Sequence, residues 1–88
     1  MEQKPCRQPG YQLEVLDGEV LLFNPAREQI LYCNETAWLI WQLCDGERTG
    51  DEIIALLVAA YPEAAEAIPG DVKATLIEFA RHGAIRLE

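Results

Sequence analysis

Few side chains in this chain could do chemistry, and they are badly placed for it. There is one histidine, His82, and there are three cysteines, Cys6, Cys33 and Cys44, in 88 residues. One imidazole supplies neither a His-based metal set nor a Ser-His-Asp arrangement with a second imidazole. The cysteines are odd in number and lack CxxC spacing, which reads as reduced thiols in a cytoplasmic protein. Cys33 and Cys44 are expected in buried structural positions. His82 precedes Gly83 at a helix C-terminus, where the dipole favours a protonated imidazole. Fifteen Asp and Glu residues are spread along the chain, and none sits in an apolar stretch of sequence that would shift its pKa. The six glycines stand singly at turns and caps rather than in a phosphate-binding loop. No catalytic residue, metal ligand or cofactor site is expected.

Composition narrows the partners. Half the residues are hydrophobic and 25% are charged, ordinary for a soluble globular domain with one modest core. The formal net charge is −8, from fifteen acids against seven scattered bases. Phosphate contacts need clustered Lys and Arg, so nucleic acid is a poor partner. No apolar run approaches the roughly 20 residues of a membrane span. The opening MEQKPCRQPG lacks the apolar stretch of a secretory signal, and a cytoplasmic location is expected.

The elements follow from the change in period along the chain. Residues 1–10 are polar, hold two prolines and read as a loose tail; residues 11–88 read as one domain. Leu13 and Val15 lead into Asp17-Gly18, a two-residue hairpin signal, and Val20 to Phe23 returns as the second strand. Turn residues Asn24-Pro25-Ala26-Arg27 precede a third strand, Gln29 to Cys33. The period then becomes helical. Asn34 caps a first helix, with Glu35 near its positive end. Ala37, Ile40, Trp41 and Cys44 share one face of it, while Trp38, Leu39 and Leu43 cover much of the rest. A helix so apolar all round must be covered on more than one side. Asp45-Gly46 stops it. Thr49 and Glu52 form a capping box for a second helix, which ends at Tyr61-Pro62. Pro69-Gly70-Asp71 opens a third helix, closed by Gly83, and Ile85 to Leu87 forms a possible short C-terminal strand.

This order predicts an α+β domain: a three-stranded antiparallel meander followed by three helices, which must cover one face of the sheet. The corner at Asp45-Gly46 with a third helix is winged-helix-like, an outline that often binds DNA. Here the third helix offers only Lys73 and Arg81 as firm cations, so a regulator that binds protein or DNA is the alternative reading.

The run LLFNPAREQILYCNETAWLIWQLCDGERTGDEI, then AAYPE, then DVKATLIEFARHGAI, resembles the PqqD family, the peptide-binding domains also called RiPP recognition elements (RiPP denoting a ribosomally made, post-translationally modified peptide). The resemblance covers about residues 11–87. It is carried by Asn34, Ala37, Trp41, Asp45-Gly46, the Thr49 to Ile53 cap, Tyr61-Pro62, and Asp71-Val72 leading to Gly83. It departs at Asn24-Pro25-Ala26-Arg27-Glu28, where members serving pyrroloquinoline quinone synthesis tend to carry a Pro-Glu turn. The resemblance implies a non-catalytic adaptor. Such domains bind the leader of a precursor peptide as an extra strand, in the groove between the third strand and the third helix. They hold it for a modifying enzyme, a radical SAM protein in the case of PqqD.

The residues fit that mode on their own terms. The third strand of a meander is an edge with unpaired backbone groups, and Gln29, Ile30, Leu31, Tyr32 and Cys33 include no proline or lysine to block it. On the third helix, Val72, Leu76, Phe79 and Gly83 should meet the core. Lys73, Ile77 and Arg81 form the neighbouring stripe, two cations around an aliphatic side chain, suited to a peptide with acidic and apolar residues. Trp41 is assigned to the core. Trp38, with Leu39, is expected to contact the modifying enzyme or a second copy of the chain. An edge covered by the N-terminal tail or by a homodimer partner is the competing expectation.

Overall fold

The computed structural model describes residues 3–17 and 19–87. In chain order these form β1 (Pro5–Arg7), β2 (Gln12–Leu16), β3 (Glu19–Asn24), β4 (Gln29–Cys33), α1 (Glu35–Leu43), α2 (Gly50–Ala60), a 3-10 turn (Pro62–Ala64), α3 (Ile68–Arg81) and β5 (Ile85–Leu87). Strands β2, β3 and β4 make an antiparallel meander in that spatial order, and β1 pairs with β5 in a separate two-stranded ribbon. The expected α+β arrangement of three antiparallel strands, three helices and a short terminal strand is present. No helix among the described residues is long and apolar enough to cross a membrane.

The turns show why the chain reverses where it does. Leu16 faces Glu19 in the β2–β3 register, so Asp17 and Gly18 make the connection. Asp17 takes a left-handed φ of 49°, as a two-residue hairpin requires, while Gly18 lies outside the described residues. Between β3 and β4, the buried Asn24 side chain accepts the N–H groups of Ala26 at 3.1 Å and Arg27 at 3.3 Å. That Asx geometry organises the turn, which ends with Glu28 at φ 52°.

Helix caps form where sequence places them. The Asn34 side chain accepts the Ala37 N–H at 2.7 Å. Thr49 accepts the Glu52 N–H at 3.2 Å while its own N–H reaches the Glu52 carboxylate at 3.0 Å, completing the capping box. Between these helices, the Asp45 carboxylate accepts the N–H groups of Glu47 and Arg48 and pairs with the Arg48 guanidinium. The Glu47 N–H foremost holds the Asp45 carboxyl below the usual carboxylate range. At the end of α3, Gly83 has φ 73°, and the Arg27 guanidinium lies where a Cβ would project. The left-handed backbone is what favours glycine there, since the Arg27 guanidinium is the end of a flexible side chain that could move aside.

The tail expected over residues 1–10 is not loose at Pro5–Arg7. This stretch pairs with β5, Pro5 opposite Leu87 and Arg7 opposite Ile85. The Arg7 N–H donates to the Cys44 carbonyl at 3.0 Å, and the Gly46 N–H to the Pro5 carbonyl at 2.9 Å. The Arg7 guanidinium donates to the Gln42 carbonyl at 2.7 Å and the Trp41 carbonyl at 3.3 Å. A helix leaves its last carbonyls without intrahelical donors, and β1 serves those of α1. Residues 1 and 2 lie outside the described residues.

The core sits between the helices and one face of the meander. Leu22 and Cys33 enter it from the sheet; Ile40, Trp41 and Cys44 from α1; Ile53 and Leu57 from α2; Ile68, Val72, Leu76 and Phe79 from α3; and Ala84 and Ile85 from the C-terminal end. Trp41 meets Tyr11 and Phe79 edge to face, at 6.0 and 5.6 Å between ring centroids. Burial pushes the Cys44 thiol up to about 12 and raises that of Cys33, so both are inert apolar fillers.

Candidate functional site

In an antiparallel sheet, directly opposed residues project to the same face. Leu31 faces Leu22 and Cys33 faces Val20 in the β3–β4 register, so these four point toward the helices. Ile30 and Tyr32 point the other way, beside Phe23 and Leu21. Both are exposed, Tyr32 by 75%. Because β4 ends the order β2-β3-β4, its second edge carries no strand among the described residues.

Beside that edge runs a groove of about 350 Å³. Leu31 and Tyr32 form its β4 side, Asn34 and Ala37 its end at the start of α1, and Ala74, Thr75, Glu78 and Phe79 its α3 wall. Tyr11 and Arg27 pin the far end. The Tyr11 hydroxyl donates to the His82 carbonyl at 2.7 Å, with the Gln29 side-chain oxygen 3.0 Å away, and the Arg27 guanidinium reaches the same carbonyl at 3.4 Å. The C-terminus of α3 is thereby tied to the base of β4.

The structure brings Leu31 and Tyr32 to the groove together with α3, but with a different stripe of α3 from the one expected. Lys73, Ile77 and Arg81 are exposed and none of them lines the groove. Arg81 pairs with Glu78 at 3.5 Å, and Glu78 also holds His82 at 3.0 Å. The groove wall is therefore small, polar and acidic (Ala74, Thr75, Glu78) where a basic one was expected. Gln29 is committed internally to Tyr11, and Cys33 is buried.

Two further concavities meet at the start of α1. One, of about 980 Å³, is lined by Glu19, Val20, Tyr32, Cys33, Asn34, Glu35 and Trp38. The other, a crevice of about 170 Å³, lies between Leu39 of α1 and Leu57, Tyr61 and Ile68, with Glu35, Glu63 and Asp71 around it. Trp38 and Leu39, the expected partner contacts, are thus half-buried residues that line separate concavities. The Trp38 indole N–H is buried and has no hydrogen-bond acceptor among the described residues. No set of three or more His, Cys, Asp or Glu side chains that could hold a metal occurs among the described residues.

An edge strand with an adjoining groove walled by the last helix is the geometry in which a domain takes an extended peptide by strand addition. The chain belongs to the PqqD family, described as coenzyme PQQ synthesis protein D, with residues 19–85 matching it. The fold is similar to that of TbiB1, solved in complex with the TbiA(beta) leader peptide, at a TM-score of 0.73 and 17% identity, over 92% of this chain and 94% of that one. A comparison with curated proteins finds no match.

Proposed function

We propose that this chain is a non-catalytic adaptor that takes the leader of a ribosomally made precursor peptide onto the open edge of β4. The leader lies in the groove against α3 and is presented there to a modifying enzyme. The observation that carries this reading is the edge itself: a strand with no strand partner on one side among the described residues, free of proline and lysine, beside a groove. Backbone hydrogen bonds to β4 supply affinity. Leu31, Ala37 and Phe79 offer apolar contact to alternate side chains of the added strand, which sets its register. The similarity to a leader-peptide complex and the membership of the PqqD family support this mode. Family membership also supports a radical SAM protein as the modifying enzyme.

The test is an NMR titration with the N-terminal segment of a short precursor encoded beside this chain. Amides of Ile30 to Cys33 and of Ala74 to Phe79 should shift together. Shifts confined to α2, or no binding at high-micromolar peptide, would overturn the proposal.

A further inference from the structure

The groove along β4 does not end at Asn34. Tyr32 and Asn34 line both it and the larger cavity of about 980 Å³, so a strand running along β4 toward α1 passes directly from one into the other. The cavity has an apolar floor of Val20, Cys33 and Trp38. Its charged rim is Glu19, at the start of β3, and Glu35, in the first turn of α1. Neither carboxylate makes an ion pair or a side-chain hydrogen bond among the described residues. No Lys or Arg lines either concavity. Arg27 and Arg81 are engaged at the end of α3, and Lys73 is exposed on α3 outside both concavities.

Resting on the peptide-binding reading above, we infer that this cavity takes a lysine or arginine side chain of the bound peptide, and that Glu19 and Glu35 select it. An apolar floor under two uncompensated carboxylates matches a side chain with an aliphatic stem and a cationic head. The stem lies along Val20 and Trp38, where the indole face adds a cation–π contribution. The head stays at the wet rim between the carboxylates. An acidic residue there would meet like charge from both glutamates and from a chain of net charge −8. The peptide class this site fits is apolar with a basic residue just beyond the β-added segment, the reverse of the acidic peptide that Lys73 and Arg81 suggested.

A random peptide display library, selected in parallel on three proteins, tests this. The wild type should enrich peptides that share an apolar extended segment and a Lys or Arg at one fixed offset from it. Glu19→Gln/Glu35→Gln should enrich the same segment with the basic position lost. Glu14→Gln/Glu66→Gln changes net charge equally at exposed acids outside both concavities, and should keep the basic position. A synthetic peptide from the wild-type pool should bind the first variant more weakly by about fivefold per charge removed, the upper end for exposed ion pairs. If peptides shift the β4 amides but show no basic preference, or keep it on Glu19→Gln/Glu35→Gln, the inference is overturned and the β4 reading stands. If no selected peptide touches β4, both fall.

Discussion

Trp41 and Trp38 sit three positions apart on one helix and are expected to behave oppositely. Trp41 is 8% exposed and packs edge to face with Tyr11 and Phe79. Through those rings it supports both the Tyr11 tie to α3 and the Phe79 wall of the groove. Trp41→Ala should cost roughly 3–5 kcal/mol, the range for large aromatic deletions. That is comparable to the whole stability of a small domain, so thermal melting monitored by circular dichroism should show a largely unfolded variant. Trp38 is half-buried and its indole N–H has no acceptor among the described residues. Removing an unsatisfied buried donor recovers a desolvation penalty that offsets part of the lost packing. Trp38→Ala should therefore melt cooperatively and well above Trp41→Ala. The reverse order would show that the two side chains had been assigned to the wrong environments. The apolar period of the helix told these residues apart. The orphan N–H was not legible, because it depends on which polar atoms other elements bring near, and no local pattern encodes that.

At the scale of elements, what was readable is what is local. Asn34 and the Thr49–Glu52 box act on N–H groups within three residues, so their caps follow from spacing alone. Strand β1 was not readable, since Pro5-Cys6-Arg7 is too short to show alternation and gains its structure from β5, nearly eighty residues later. Arg7 tests whether that segment is docked on the end of α1. Arg7→Ala removes donors from the Trp41 and Gln42 carbonyls and should cost about 1 kcal/mol, the worth of an ordinary hydrogen bond. For a domain of this size that corresponds to a melting point lower by roughly 4–8 °C. No change would return residues 5–7 to the status of a tail. The flank of α3 was also out of reach. A helix whose core face is Val72, Leu76 and Phe79 has two borders, and periodicity does not say which one meets β4. The chain turns Thr75 and Glu78 toward the strand, and Lys73 and Ile77 away. Thr75→Arg should thus obstruct the groove and weaken peptide binding by about tenfold, equivalent to about 1.4 kcal/mol. Lys73→Glu and Ile77→Arg should leave the affinity unchanged. Calorimetric titration of the three variants decides which flank receives the peptide.

The whole molecule combines an incompletely covered sheet with a surplus of negative charge, so the free protein and its complex with a basic peptide respond to salt in opposite ways. Strand β2 is exposed along its full length. Leu13 and Val15, opposite Leu22 and Val20 on the helix side, are 43% and 65% exposed. The helices thus cover only the β3–β4 side of the meander, and the compact state gains less burial than three strands could provide. It must also hold together a net charge of −8, and self-repulsion opposes compaction. Salt screens that repulsion over about 10 Å at 0.1 M, so the free protein should melt higher as ionic strength rises. A bound peptide adds a fourth strand and stabilises by mass action, about 2.7 kcal/mol at a hundredfold excess over Kd. Part of its affinity comes from a basic side chain set against Glu19 and Glu35, and salt screens that attraction too. The melting point of the free protein should therefore climb with salt while the increment due to a basic peptide, at fixed peptide concentration, shrinks. A peptide with norleucine in place of the basic residue should give a smaller increment that salt hardly changes. Should both peptides give increments with the same salt dependence, charge plays no part in recognition, and edge pairing with apolar contact must account for binding alone.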